Sequence, residues 1–320
     1  MNSHYSVNNN TMPIINKIID NPEKYGLIIE ESQGIKIFDA GIKAKGSYQA
    51  GKILTEICLG GYGSTNISMI KYNDLELPSI QVYTDLPSIA TLGSQFAGWR
   101  IKVHKYQAIG SGPARALALK PKELYKRIDY RDFSDNAIIV LETAKKPSIE
   151  VLQYISNECN VESNKLFVFL VPTSCLAGSI QVSGRIVETG LHKLMEVGFN
   201  PNNAVNGIGY APISPVHPTF IEAMGRTNDM ILYGGVVHFT VKEEKDKELK
   251  KLVELVPSWN SKDYGKPFSE IFKKAGYDFY KIDPALFAPA VITINNINTG
   301  SFFTAGQINT DVLKQSITFQ

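Results

Sequence analysis

An unbroken apolar segment that runs directly into a helix with a charged pair constrains the fold of this chain more than any other feature. The segment, LFVFLVP at residues 166–172, is typical of a strand covered on both faces. A small-residue turn and a helix follow, and the helix places Arg185 and Glu188 three residues apart on one face. Because α/β proteins bind ligands beyond the carboxyl ends of their strands, this pair is a candidate for chemistry.

Strand and helix patterns alternate along the 320 residues and predict a mixed α/β (α+β-like) protein. With 43% hydrophobic residues the chain can bury two cores, and we expect a first α/β domain over 1–170 and a second over 171–320. No Pro-, Gly- or Ser-rich linker marks a boundary, so one domain can be discontinuous. The predicted strands are 26–32, 34–42, 66–73, 79–84, 100–110, 136–143 and 166–172; the predicted helices are 48–59, 88–99, 120–128, 147–159, 177–197, 219–224 and 245–255; and 257–268 and 294–309 are turn-rich.

Composition excludes several classes of partner. The net charge of +2, with acids and bases interspersed, provides no broad basic face for nucleic acid. The N-terminal MNSHYSVNNN lacks the apolar run of a signal peptide, and no segment approaches the roughly 18 apolar residues of a membrane span, so we expect a cytoplasmic protein. Three scattered cysteines without CxxC spacing, and the absence of an HExxH motif, predict no metal site.

A weak internal echo indicates two related halves. The helix, LGGYG turn and strand around 59–69 resemble the helix, VGFN turn and strand around 197–210, and each is followed by a Pro-initiated helix with a Gly-polar dipeptide. Such connectors also recur by chance. If the echo is real, a cleft between two α/β halves is the natural binding place.

Three other features have both a functional and a structural interpretation. The loop GSGPAR, 110–115, could bring backbone N–H groups and Arg115 to a phosphate, or it could be a tight turn. Cys175 could be a nucleophile beside a histidine, but a structural thiol at a strand end is more common. Arg226, with Asn228 and Asp229, could bind a polar ligand or cap a helix.

The Arg185–Glu188 pair also has a structural interpretation. A surface pair at this spacing contributes only tenths of a kcal/mol. However, the surrounding helix contains Gly and Ser residues that helix propensity disfavours, and small residues allow something else to come close. Pattern alone therefore leaves both interpretations open.

Several long segments together resemble the methenyltetrahydromethanopterin cyclohydrolase family. They are SQFAGWRIKV, GSGPARAL, PTSCLAGSIQVSGRIVETGLHKL, GYAPISPVHP, AMGRTNDMILYGG, PSWNSKDYGKPFSEIFKKAGYDFYKID and NTGSFFTAGQIN. The resemblance runs from about residue 10 to the C terminus, and so many collinear matches are more specific than any single motif.

The resemblance implies reversible addition of water to the methenyl carbon of a cationic tetrahydropterin C1 carrier, giving the N5-formyl compound. It also implies no metal and no organic cofactor, a cytoplasmic homotrimer, and a substrate cleft between two α/β domains. The family's catalytic pair falls on Arg185 and Glu188. Its pterin-side segment falls on Gln95, Phe96 and Ala97. Because the side chain at Phe96 is expected to vary among relatives, only the backbone role of this segment is transferred.

The resemblance, together with the chemistry, suggests a mechanism. The methenyl group is an electrophilic amidinium-like cation, so its hydration needs a placed water and a base rather than a Lewis acid. We assign Glu188 as that base and Arg185 as the group that holds oxygen and tunes Glu188. Glu142 could hydrogen-bond the pterin ring, and Arg115 or Arg226 could steer the anionic tail.

Two alternatives to this function are retained. One is a Cys175-dependent acyl transferase, and the other is a non-catalytic pterin-binding relative. Residues alone do not decide which methanopterin variant is used or which direction the reaction runs.

Overall fold

The computed structural model describes residues 5–318, so the first four residues of the N-terminal MNSHYSVNNN lie outside the described residues. The chain divides into two compact units: unit 1 is Met1–Ser64 with Ser88–Gln181, and unit 2 is Thr65–Pro87 with Val182–Gln320. Each unit therefore combines two separate stretches of chain. The sequence, which has no linker that marks a boundary, is compatible with such discontinuous units.

The described residues form the following elements. The α-helices are α1 Val7–Asp20, α2 Pro22–Tyr25, α3 Tyr48–Cys58, α4 Ala114–Ala118, α5 Lys122–Ile128, α6 Ile149–Cys159, α7 Leu176–Ser183, α8 Ile186–Glu196, α9 Phe220–Gly234, α10 Asp246–Leu255, α11 Phe268–Lys274 and α12 Thr310–Thr318. The strands are β1 Ile28–Ser32, β2 Ile35–Asp39, β3 Gly63–Tyr72, β4 Leu75–Thr84, β5 Trp99–Val103, β6 Tyr106–Ser111, β7 Ala137–Glu142, β8 Leu166–Val171, β9 Ala204–Pro212, β10 Val236–Val241, β11 Val291–Asn296 and β12 Ser301–Gly306. A π-helix occupies Ser88–Gln95, and short 3-10 turns complete the set.

Unit 1 is built on a six-stranded sheet in the order β1-β2-β8-β7-β6-β5. The three central strands β2, β8 and β7 are parallel, and the outer pairs are antiparallel. Every residue of β8 is buried, as predicted for a strand covered on both faces. On one face Phe38 stacks on Phe169 with ring centroids 4.3 Å apart, and on the other face Val168 packs with residues of α6.

Unit 2 contains the second six-stranded sheet, in the order β12-β11-β10-β9-β4-β3. β10 and β11 are parallel, while β9 pairs antiparallel with both β10 and β4. One face of this sheet is covered by α8, because Gly190 lies against Val237 and Phe239 of β10. A separate aromatic cluster around Phe268 joins α9, α11 and α12. Two sheets with flanking helices confirm the predicted mixed α/β class.

Most of the predicted segments are helices or strands as predicted, but the bounds of several are wrong. The helix predicted over 177–197 is broken at Gly184 and Arg185, which form a turn between α7 and α8. The helix predicted over 88–99 ends at Gln95, after which β5 begins at Trp99. The single strand predicted over 100–110 lies within the hairpin β5–β6, where His104 takes a left-handed φ of 52°.

Two further differences concern the C-terminal half. The helix predicted over 219–224 continues to Gly234, because apolar residues recur on its buried face through Met230 and Tyr233. The turn-rich stretch 294–309 contains the end of β11 and all of β12, which form an antiparallel hairpin. No helix within residues 5–318 has the length and apolar character needed to cross a bilayer.

Candidate active site

The predicted pair lies at the junction of α7 and α8, within unit 2. Arg185 is the N-cap residue of α8, and Glu188 is in its first turn. The distance between Arg185 Nη1 and Glu188 Oε2 is 3.7 Å. The two side chains are only 11% and 8% exposed, so this is a buried ion pair rather than a pair on the solvated face of a helix.

Small residues fix the position of this junction. Ser183 Oγ donates a hydrogen bond to the Pro212 carbonyl at 2.7 Å, which ties the end of α7 to the end of β9. A Cβ at Gly207 would lie 2.8 Å from Val187 Cγ1, and a Cβ at Gly190 would lie 2.8 Å from Val237 Cγ1. These glycines therefore let α8 lie close to β9 and β10. Helix–sheet packing thus explains some of the small residues that the sequence places around the pair.

The electrostatic surroundings of Glu188 suit a base. Its carboxylate lies in the first turn of α8, where unpaired N–H groups and the helix dipole favour negative charge. The positively charged guanidinium of Arg185 lies 3.7 Å from this carboxylate. A carboxylate in such a setting can accept a proton from a bound water.

In unit 1 the carboxyl ends of the parallel strands carry a second group of polar side chains. Glu142 is the last residue of β7 and lies beside Val171, the last residue of β8. The hydroxyl of Thr173 donates a short hydrogen bond to Glu142 Oε1. The sequence predicted Glu142 but not its partner, although the rule that parallel strand ends meet at one edge could have identified Thr173.

Asp39, at the end of β2, was missed by the sequence reasoning. Its buried carboxylate accepts hydrogen bonds from the backbone N–H groups of Gly41, Ile42, Lys43 and Ala44, at 2.6–3.2 Å. A carboxylate that gathers successive backbone donors shapes its own loop. The spacing Asp-x-Gly directly after a strand is the signal that was available for it.

The predicted substrate segment Gln95–Ala97 lies at the end of the π-helix, an uncommon element often found at functional sites. Gln95 is fully buried, and Ser94 Oγ donates to the Cys58 carbonyl at 2.6 Å. Phe96 and Ala97 line a groove of about 470 Å³ together with Trp99 and residues of two other elements. Side chains from elsewhere in unit 1 thus fix the backbone of this segment.

Arg115, predicted as a steering cation at a site rim, is one of these fixing side chains and lies inside unit 1. It is 0% exposed. Its guanidinium donates hydrogen bonds to the carbonyls of Leu92, Ser94 and Lys120, and it lies 5.3 Å from the centroid of the Phe96 ring. The GSGPAR loop is accordingly a tight turn, in which the Gly112 N–H donates to the Ser94 carbonyl at 2.9 Å.

Cys175 has the surroundings of a structural thiol. Burial raises its pKa, and its sulfur accepts a hydrogen bond from the Gly178 N–H at 3.3 Å. Its other neighbours include the carbonyl of Ala40 and the backbone of Gly41. None of its recorded contacts is a histidine. Within residues 5–318 no group of His, Cys, Asp and Glu side chains could hold a metal ion.

Arg226 lies on α9 and is half-buried. Its Nε atom is buried without a hydrogen-bond partner among the described residues. Its neighbours in the motif have structural roles, since Asn228 donates to the Met224 carbonyl and Asp229 accepts from the Phe268 N–H. Arg226 therefore has donor capacity to spare.

Comparison with known proteins gives a consistent result over the whole chain. A family model described as "Cyclohydrolase (MCH)" matches residues 6–317. The chain is 46% identical over 316 residues to the methenyltetrahydromethanopterin cyclohydrolase of Methanocaldococcus jannaschii, covering 98% of each protein. The proteins of the same name from Methanoregula boonei and Methanococcoides burtonii are 46% and 43% identical, with 98% and 97% of this chain and 99% and 98% of theirs covered. The chain therefore belongs to the MCH cyclohydrolase family.

Proposed function

We propose that this protein interconverts 5,10-methenyl-tetrahydromethanopterin plus water with 5-formyl-tetrahydromethanopterin. Its relatives carry the name of this cyclohydrolase, and that name is the source of the substrate assignment. The single observation that carries the mechanism is the buried pair of Arg185 and Glu188 at the start of α8. It offers a carboxylate base and a fixed cation within a few ångströms.

Glu188 acts as the general base in this mechanism. It takes a proton from water as the water oxygen forms a bond to the C1 carbon of the methenyl cation. The positive charge of the amidinium is lost in that step, giving a tetrahedral carbinolamine. The hydroxyl of this intermediate then loses its proton as the C1=O bond forms and the bond between C1 and N10 breaks. N10 takes up one proton, so that the formyl group remains on N5 and one proton is released overall.

Arg185 holds the oxygen that becomes the formyl oxygen and keeps the Glu188 carboxylate in place. A guanidinium presents several N–H donors in a rigid plane, which suits it to contact a carboxylate and a substrate oxygen together. Because the reacting cation is already electrophilic, the mechanism requires neither a metal nor an organic cofactor. Activity that persists after exhaustive treatment with a chelator would support this requirement.

The remaining predicted site residues bind the substrate in this proposal. The backbone of Gln95, Phe96 and Ala97 contacts the ring, and Glu142 accepts a hydrogen bond from it. Arg226 contacts the anionic tail. This assignment is supported by its Nε atom, which has no hydrogen-bond partner among the described residues. The expected signature of Arg226→Gln is a raised KM and a weaker dependence of KM on salt, with kcat retained.

The decisive experiment follows the ultraviolet absorbance of the methenyl compound as it is hydrated. Glu188→Gln should lower kcat by about 10²–10⁴-fold, the usual contribution of a general base. The matched control is Glu196→Gln on the same helix, where the side chain is 54% exposed, and it should retain full activity. A folded Glu188→Gln variant with near-normal hydration would disprove the assignment.

The same assay separates the alternative functions. A Cys175-dependent acyl transferase would lose activity on alkylation of its thiols, whereas the cyclohydrolase would not. A non-catalytic binder would shift the methenyl absorbance without consuming it. The raised pKa of Cys175 and the absence of a histidine among its recorded contacts favour the cyclohydrolase.

We also propose that the protein works in the cytoplasm as a homotrimer, with no nucleic-acid or membrane partner. Light scattering at working concentration tests the oligomeric state against the chain mass of 35.4 kDa.

A further inference from the structure

Helix α11 and the loops on either side of it form a groove of about 420 Å³ in unit 2. Its volume lies within the range of sites that bind small molecules. Four exposed lysines line it: Lys262, Lys266, Lys274 and Lys281. Two acids also line it, Asp263 and Glu270. We call this site the lysine groove.

The four lysines have no counter-ion in the part of the chain that the structure describes. Other lysines pair with carboxylates, as Lys120 does with Glu158 at 2.6 Å and Lys245 with Glu248 at 3.1 Å. None of the four lysines of the groove forms an ion pair or a side-chain hydrogen bond within residues 5–318. Like charges around one groove repel each other, and an anion bound among them would relieve this repulsion.

The acids in and beside the groove do not cancel its charge. Asp263 Oδ2 accepts the N–H of Asp283 at 2.8 Å. Asp283 accepts hydrogen bonds from Ser261 Oγ and the Lys262 N–H at 3.0 and 3.1 Å, and it attracts the Lys262 ammonium group at longer range. The residues that line the groove carry a net charge of +2, as much as the entire chain. Positive charge is therefore locally in excess, although acids and bases are interspersed in the sequence.

Contacts with the protein interior hold the backbone that carries these lysines. The Tyr233 hydroxyl donates to the Lys266 carbonyl at 2.6 Å and accepts from the Gly265 N–H at 3.2 Å. The rings of Tyr264 and Tyr233 lie against each other, with centroids 5.2 Å apart. A ligand in the groove would therefore order lysine side chains but not the loop itself, which limits the entropic cost of binding.

We propose that the lysine groove binds a multiply charged anion of the phosphate class. A lysine ammonium group is a compact charge with three N–H donors, and it commonly binds phosphate. A phosphate group offers three acceptor oxygens to several ammonium groups at once, whereas a single carboxylate offers two. A neutral or cationic ligand would leave the repulsion among the four lysines in place.

Two sources can supply such an anion: a free phosphate compound, or the anionic tail of the substrate in the proposed function. The second source fits because a chain of contacts links the groove to the reaction pair. Tyr233 holds the Lys266 carbonyl, and a Cβ at the next residue, Gly234, would lie 2.7 Å from Pro212 Cγ. The Pro212 carbonyl in turn accepts from Ser183, at the junction of α7 and α8. Only this second source rests on the proposed function.

The test measures binding of inorganic pyrophosphate by isothermal titration calorimetry at low ionic strength, where charges are weakly screened. The wild type should bind pyrophosphate saturably. The double variant Lys266→Gln with Lys274→Gln should raise the Kd by about tenfold or more, because it removes two of the four attracting charges. The matched control is Lys250→Gln with Lys251→Gln, which removes the same charge from exposed positions of α10 in the same unit. It should leave the Kd unchanged.

The hydration assay then identifies the source of the anion. If the groove holds the substrate tail, the double variant that binds pyrophosphate weakly should also show a raised KM with kcat retained, and pyrophosphate should compete with the substrate. If the groove holds a free phosphate compound, KM should equal that of the wild type. Either result supports the groove as an anion site.

Two calorimetric results would overturn the proposal. One is wild-type protein that shows no saturable binding of pyrophosphate. The other is a double variant at Lys266 and Lys274 that binds pyrophosphate as tightly as the wild type. Because calorimetry uses no pterin, neither result bears on the cyclohydrolase mechanism, which the Glu188→Gln variant tests separately.

Discussion

Two arginines with little exposure, one in each unit, differ in the groups that their guanidinium contacts. Arg115 is fully buried, and backbone carbonyls accept its hydrogen bonds. Arg185 is nearly as buried, but it faces the Glu188 carboxylate at 3.7 Å. Carbonyl acceptors satisfy a guanidinium and hold a loop in place, whereas an adjacent carboxylate gives a pair that can exchange a proton with a ligand.

The largest expected effect separates the two arginines by activity. Arg185→Ala should lower kcat by about 10²-fold or more, because it removes both an oxygen contact and the cation beside the base. Added guanidinium at a non-denaturing concentration should restore part of that rate, because the small cation can occupy the space left by the side chain. Arg115→Ala should not be rescued in this way. Equal rescue of both variants would remove the distinction between them.

The next effect separates them by stability. Arg115→Met leaves the carbonyls of Leu92, Ser94 and Lys120 without their donors inside unit 1. We expect it to lower the free energy of unfolding by about 2–4 kcal/mol. Glu188→Gln should cost less than Arg115→Met in the same urea titration, because the Arg185 side chain that loses its counter-charge keeps 11% of its surface in water, whereas Arg115 is fully buried. A stable Arg115→Met variant with impaired hydration would instead place Arg115 in the chemistry.

A buried carboxyl group in unit 2 makes the free energy of unfolding depend on pH. Asp229 is 1% exposed, and burial raises its pKa to about 8, while Phe268 N–H and Ser316 Oγ bond its oxygens at 2.8 and 2.6 Å. In the unfolded chain its pKa is about 4. Between pH 4 and pH 8 the Asp229 carboxyl is therefore protonated in the native state and ionised in the unfolded state. Its contribution to stability is therefore complete below about pH 4 and is lost as pH rises through 8.

Asp229→Asn should remove this dependence, since the amide can still accept from Phe268 and donate to Ser316. Between pH 5 and 8 the free energy of unfolding of the wild type should fall more steeply with pH than that of the variant, by up to about 1.4 kcal/mol per pH unit. The matched control is Asp311→Asn, at an exposed position of α12. Identical slopes for wild type and Asp229→Asn would show that this carboxyl is ionised in the native state.

The smallest expected effect is at Cys175. Cys175→Ala should change kcat/KM by less than about twofold and the free energy of unfolding by about 1 kcal/mol, the usual cost of a small cavity. Hydration rates and urea midpoints measure the two quantities. Loss of activity without loss of stability would show that the Cys175 thiol takes part in the reaction.

The strand and helix patterns anticipated much of the fold, because apolar periodicity records which faces are buried. The buried strand β8 and the helices α3, α6 and α10 lie close to their predicted ranges. The break between α7 and α8 escaped prediction because Gly184 and Arg185 lie within an otherwise helical pattern. The hairpin of β11 and β12 escaped it because the segment is rich in Asn, Thr and Gly, which are typical of loops.

The site itself was predictable in part. The three-residue spacing predicted that Arg185 and Glu188 lie together, which the structure confirms, and the family resemblance supplied the catalytic role proposed for them. The position of Arg115 was not predictable, because a glycine-rich loop followed by arginine looks the same whether the guanidinium turns outward to a phosphate or inward to carbonyls. Its acceptors lie more than 20 residues earlier and five residues later in the chain, and only the fold brings them together.

The division of each unit into two stretches of chain has a consequence for synthesis on the ribosome. Strands β3 and β4 emerge early, but β9, which pairs with β4, begins at Ala204. At the usual elongation rates, the roughly 120 intervening residues take about 6–24 s to appear. Unit 1 can complete its sheet during that interval, while the first hairpin of unit 2 waits with an unpaired edge. Such an edge is a natural target for chaperones, and slowing translation would prolong its exposure.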